Sequence, residues 1–202
     1  PRDPGRRWSS VTPPIPPIVF LDRPVEFGGA DVILADNFGG ARVAVSELVA
    51  NGAQRVAFVG DSLSLYTMRE RHNGYLRALE SAGIAVDSRL SVTTAHSSEQ
   101  ARIAVGELVR DGLADAIFAA NNRASVGALY SFAEGGRLPI IGFDDFEAAK
   151  LSTPAMSVVS QDVTEMGRLA AKIVLTRLAG ASPEPCLHIL PTRLELRGSE
   201  RA

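Results

Sequence analysis

With 202 residues, of which 46% are apolar and 22% charged, the chain has enough apolar material for one large domain or two small lobes and is too apolar for a disordered tail. A formal net charge of -2 and a lone cysteine, Cys186, argue against a nucleic-acid surface on this piece and exclude an internal disulfide or a cysteine-rich metal site. No apolar run approaches the ~20 residues of a membrane helix, and the first twenty residues lack the order of a secretory signal, so the expected address is cytoplasmic with no membrane partner.

The chain opens on Pro1 rather than methionine, which predicts further sequence upstream. Residues 1–17 read as a disordered leader: Arg2, Arg6 and Arg7 are basic, but Gly5, Pro13, Pro14, Pro16 and Pro17 beside them cannot hold a recognition helix. Two short apolar runs follow, 18–22 (IVFLD) and 32–36 (VILAD). From residue 41 one unit then recurs four times: an amphipathic stretch, a glycine, a short apolar run. The helices are expected at 41–51, 68–82, 99–111 and 124–134, and the strands after them at 55–60, about 90–93, 115–119 and 138–143. Helical spacing, a glycine cap and a continuous apolar run describe helix, stop and a strand buried on both faces. Four such units in a row predict an α/β fold of parallel strands with helices on both faces, because parallel neighbours need crossover connections.

A further strand is expected at 156–159, followed by a long helix from Asp162 to about Ala179. Asp162 caps that helix with Glu165 reaching back; Val163, Met166, Ala170, Ile173 and Val174 form its buried side, and Gly180 ends it. Short strands at about 188–190 and 193–196 finish the chain. These flanking pieces do not continue the four-unit series and are read as parts of a second lobe.

Open parallel sheets bind ligands at the carboxyl ends of their strands. The residues there are Asp22 and Arg23, Asp36 and Asn37, Asp61 and Ser62, His96, Asn121 and Asn122, and Asp144 and Asp145. Such a ring suits a polyhydroxylated ligand, whose hydroxyls each need a donor and an acceptor once buried. Each Asp or Asn can equally cap the next helix or make a turn. Enzyme readings fare worse. The segment GDSLS from Gly60 lacks the second glycine of a nucleophile elbow, and no phosphate loop with its lysine occurs. The pair Asp144 and Asp145 is compatible with an acidic phosphoryl pocket, but Lys150 and Lys172, the only lysines, follow no strand. His72, His96 and His188 have no ligand spacing. No cofactor is implied.

From Ile18 to Ser199 the chain resembles the LacI/GalR family of bacterial repressors. The likeness is carried by IVFLDRP at Ile18, DNFGGA at Asp36, RVAFVG at Arg55 and RERHNGYLRALESAGI at Arg69. It continues in AIFAANNRASVGAL at Ala116, IIGFDDFEAAKLSTPAMSVVSQD at Ile140 and LPTRLELRGS at Leu190. One loop departs from the pattern, since only Leu138 and Pro139 stand between Arg137 and Ile140. The resemblance implies two lobes of the periplasmic binding protein type I kind, with a sugar-like effector held between them. On that likeness 18–36 and 161–190 are a remnant of the N-terminal lobe, whose first half is absent, and 37–157 with 193–199 form the C-terminal lobe. The helix-turn-helix that reads operator DNA is absent as well.

The same resemblance implies the ligand contacts. Arg71 corresponds to an arginine that forks onto hydroxyls or a carboxylate, with an exposed helix arginine like Arg69 as the alternative. Asp144 accepts from the ligand, Asn121 and Asn122 make a polar wall, Gln161 contributes from a crossing segment and Asp22 from the first lobe. His96 stands where relatives often place a stacking aromatic, or else in a surface turn. Thr67 is a further candidate. The implied function is a non-enzymatic sensor whose effector shifts the population of states presented to DNA. A homodimer is expected, with 124–134 a candidate interface helix unless it packs on the sheet. A periplasmic sugar-binding protein of a transporter is the alternative.

Overall fold

A computed structural model describes residues 16–24, 30–180 and 184–201. The expected leader lies outside the described residues apart from Pro16 and Pro17, and Arg2, Arg6 and Arg7 lie outside them entirely. The chain divides into two compact units, Pro1–Ala35 with Asp162–Leu190 and Asp36–Gln161 with Pro191–Ala202.

The first unit carries a parallel sheet of β1 (Val19–Leu21), β2 (Asp31–Ala35) and β8 (Leu187–Leu190), in the order β1-β2-β8, with helix α5 (Val163–Leu178). Ile33, Ala35 and Met166 form its buried cluster, with Val19, Leu169, Ala170, Ile173 and Leu190 packed on it. Asp162 caps α5 by accepting the Glu165 N–H at 2.8 Å. The Glu165 side chain does not reach back to complete a capping box. Its carboxylate instead takes the Arg168 fork at 2.6 Å to each oxygen, an (i, i+3) pairing that outcompetes the box. Val163, expected on the buried side, is 70% exposed, and Leu169 occupies that side instead. The buried Asp31 carboxylate, at the start of β2, accepts from Arg177 Nε at 2.7 Å and from the Cys186 N–H at 3.0 Å, tying the end of α5 and the entry to β8 onto β2.

The second unit is a six-stranded sheet in the order β4-β3-β5-β6-β7-β9. Its strands are β3 (Val56–Val59), β4 (Ser91–Val92), β5 (Ala116–Ala119), β6 (Ile140–Phe143), β7 (Ser157–Gln161) and β9 (Thr192–Glu195). All pairings are parallel except β7 with β9. Strand alternation sends Phe58, Phe118, Ile141 and Phe143 to one face, under α1 (Asn37–Ala50) and α2 (Tyr66–Ser81). Ala57, Val59, Ile117 and Ile140 go to the other, under α3 (Ser98–Arg110) and α4 (Asn122–Glu134). Each helix pair closes over a glycine. A Cβ at Gly74 would lie 2.3 Å from the Phe38 carbonyl oxygen, and one at Gly127 would lie 2.5 Å from that of Ser98, so only glycine permits α2 to approach α1 and α4 to approach α3 so closely. The buried positions of α4, among them Ala124, Gly127 and Ala128, are spent on this packing, while Tyr130 stays 59% exposed.

Candidate functional site at the carboxyl edge of the second sheet

Because β3, β5, β6 and β7 run parallel, their carboxyl ends share one edge, and helices α1 to α4 start at that edge. Three of the four starts are closed by a side chain from the preceding residue: Asp36 accepts Gly39 N–H at 2.7 Å, Ser97 accepts Gln100 N–H at 3.2 Å and Asn121 accepts Ala124 N–H at 2.8 Å. Helix α2 follows Leu65 and has no such cap.

Arg71, in the second turn of α2, is only 2% exposed. A guanidinium so deeply placed requires partners, since an uncompensated buried charge is very costly. Its Nε donates to Asn37 Oδ1 at 2.8 Å, and its Nη1 donates to the Ala120 carbonyl at 2.8 Å. Nη1 also meets Asp144 Oδ2 at 3.4 Å. The guanidinium carbon lies 3.7 Å from the centroid of the Phe143 ring, within cation–π range. The other Asp144 oxygen accepts the Gln161 amide. A continuous polar chain therefore runs Asn37–Arg71–Asp144–Gln161, from α1 through α2 to the ends of β6 and β7. Asp144 keeps 29% of its side chain exposed and has a left-handed backbone, φ 75°, a conformation that aspartate tolerates better than most residues.

A second cluster stands at the ends of β3 and β4. His96 Nδ1 is hydrogen-bonded to Asp61, Arg123 lies 3.8 Å from the other Asp61 oxygen, and Arg123 also donates to the His96 carbonyl at 3.1 Å. Burial works to raise the Asp61 carboxyl, but the His96 hydrogen bond, the Ser62 N–H and the charges of His96 and Arg123 outweigh it and hold the group below its usual range.

Of the residues singled out in the sequence, Arg71, Asp144 and Gln161 are in direct contact. Asn121 adjoins them, but its side-chain oxygen is used to cap α4, and its amide lies 3.7 Å from Met68 Sδ. Asn122 opens α4 and is exposed; Thr67 is half-buried in the first turn of α2, one turn before Arg71. His96 belongs to the second cluster. Asp22 lies in the other unit, at the end of β1, with φ 58° and its N–H donated to Ile33 O at 2.9 Å. Asn37 and Phe143 were not chosen as site residues, yet they orient Arg71. Asn37 stood in the ring of polar strand-tip residues, the one signal that could have raised it, whereas the Ala120 carbonyl leaves no trace in a sequence.

The arrangement offers hydrogen-bond donors and acceptors, and Ser62 Oγ beside it pairs with Ser64 Oγ at 2.9 Å. Among the described residues no group of three or more His, Cys, Asp or Glu side chains could hold a metal ion, and no helix is long and apolar enough to cross a membrane.

Residues 45–200 match the family model of the periplasmic binding protein-like domain. The chain belongs to that family. Within it, the relatives are LacI/GalR-type regulators rather than enzymes, as the sequence motifs implied. The HTH-type transcriptional regulator CelR of Thermobifida fusca is 32% identical over 191 residues, which is 91% of this chain and 56% of the relative. Among solved structures, a CelR–cellobiose complex superposes with a TM-score of 0.81 at 31% identity, covering 90% of this chain and 58% of that one. A LacI family regulator from Enterococcus faecium with bound ribose gives 0.82 at 26%, covering 91% and 70%. The α/β parallel fold agrees with these neighbours. The chain spans about half the length of the curated relatives it matches.

Proposed function

We propose that this chain is the effector-sensing part of a LacI-type transcriptional repressor and that it binds a small sugar or related metabolite without chemical turnover. The observation that carries the reading is the Asn37–Arg71–Asp144–Gln161 chain at the strand ends. A buried, pre-oriented guanidinium and a carboxylate fixed on both oxygens supply the donor and acceptor that a pair of sugar hydroxyls needs, without reorganisation on binding. Two structural neighbours hold cellobiose and ribose, which supports the same ligand class here.

The ligand-contact set we assign is Arg71, Asp144, Gln161, Asn121, Asn122, His96, Thr67 and Asp22, and the lobes are those of the family resemblance, 18–36 with 161–190 and 37–157 with 193–199, except that Asp36 and Gln161 group with the second unit. In the parent regulator, effector binding shifts the balance between conformations that differ in operator affinity. Operator DNA is contacted through a helix-turn-helix outside this chain, in keeping with the net charge of -2; the regulator acts as a cytoplasmic homodimer. The transporter alternative is not favoured, since the relatives are regulators. Calorimetric titration of a panel of sugars into wild type, Arg71→Ala and Asp144→Ala tests the site. A loss of about tenfold or more in each variant is expected, equivalent to about 1.4 kcal/mol. Unchanged affinity in both removes the assignment.

A further inference from the structure

Each strongly charged group of the two clusters at this edge already has its opposite within the same unit. Arg71 faces Asp144 at 3.4 Å, and Arg123 and His96 both face Asp61. Outside the clusters Arg69 lies 3.8 Å from Glu70. The helix starts, which elsewhere attract anions, are filled by Asp36, Ser97 and Asn121. The one start without a side-chain cap, that of α2, presents Thr67, a neutral hydroxyl, one turn before Arg71. Its surroundings favour neutral over negative groups: the Tyr66 hydroxyl at the first position of α2 is pushed up by burial and then by the negative charge of Glu70, with Arg69 opposing and Asp36 adding a smaller push.

We propose that this edge selects an uncharged, hydroxyl-rich ligand and discriminates against phosphorylated and acidic sugars, an inference that rests on the sugar-sensing reading above. A phosphate or carboxylate brought to Arg71 meets a guanidinium already neutralised by Asp144, so it must either displace that carboxylate or sit beside it as a second, partly desolvated negative charge. A hydroxyl faces neither cost. It can donate to Asp144 and accept from the Thr67 hydroxyl or the Gln161 amide without altering the local charge.

The test titrates the full chain with neutral mono- and disaccharides, cellobiose and ribose included, and with ribose 5-phosphate, glucose 6-phosphate and glucuronate, at low and high salt. The expected result is a neutral sugar bound at least about tenfold more tightly than any anionic one, with an affinity that salt leaves unchanged. An anionic sugar that binds more tightly, and weakens as salt is added, overturns the inference but leaves sugar sensing standing. Binding of neither class overturns both. In Asp144→Asn, which removes the Asp144 charge from Arg71, the preference for neutral over phosphorylated sugar is expected to shrink by about tenfold; an unchanged ratio in a folded variant counts against the proposal. The salt dependence of wild type decides the matter if that variant does not fold.

Discussion

The two units solve the same packing problem to different depths. In the second, helices lie on both faces of the sheet, and each face has its own cluster of fully buried side chains, led by Phe58, Phe118 and Phe143 on one side and Ile117, Ile140 and Val158 on the other. In the first, the described residues place one helix against three strands; the cluster is Ile33, Ala35 and Met166, and Leu187 and Ile189 of β8 are each 58% exposed. The difference teaches where stability resides. The second unit is held by apolar burial, whereas the first leans on a polar tie, the buried Asp31–Arg177 pair.

The largest expected effect sharpens that contrast. Phe118→Ala removes a fully buried ring shared between Phe58 and its neighbours and is expected to cost about 3–5 kcal/mol, while Met166→Ala costs about 2 kcal/mol. Urea denaturation followed by circular dichroism measures both, and equal costs would break the comparison.

Glycine-to-alanine exchanges provide a smaller test with opposite signs. Gly74→Ala drives a methyl into the Phe38 carbonyl and is expected to destabilise by about 1–2 kcal/mol. Gly167, exposed in the middle of α5 with open space around its Cβ direction, gains from the same change by up to about 1 kcal/mol, through helix propensity alone. Thermal unfolding of the two variants should move to opposite sides of wild type.

The smallest effect is acidic. His72 packs edge-on against Phe58 at 4.9 Å and hydrogen-bonds Ser91 at 2.7 Å, and burial lowers its pKa from 6.5. The fold thus prefers the neutral ring, so this contribution is complete above pH 6.5 and is lost as pH falls through the lower folded value. His72→Gln should flatten the fall in denaturation midpoint over that interval; an identical slope would assign the fall to other groups.

Helix and strand periodicity made the second unit legible, because fully buried strands such as VAFV and AIFA stand between amphipathic stretches closed by glycine. Element ends were harder. Helix α1 begins at Asn37, four residues before the expected start, because Gly39 and Gly40 disguise a first turn that the Asp36 cap nevertheless stabilises. Strand β7 runs on to Gln161, past the apolar stretch, since its pairing with β9 recruits the polar Ser160 and Gln161. Within the site, Asp144 could be named from its place after a strand, whereas Arg71 could be named only through the resemblance to LacI/GalR repressors. Their partnership could not, because it depends on a backbone oxygen and on helix placement that only the folded chain supplies.

The left-handed backbone of Asp144 constrains which side chains can stand at that end of β6. Position 144 is open to asparagine and glycine as well as aspartate, whereas glutamate and β-branched residues carry a conformational penalty there whatever chemistry they offer. On the sugar-sensing function proposed above, retargeting toward a new effector has a narrow path through this carboxylate and a wider one through His96, which is exposed and has no positive φ. A mutational library aimed at altered specificity is best concentrated on His96 and its neighbours, with residue 144 limited to the small set its geometry accepts.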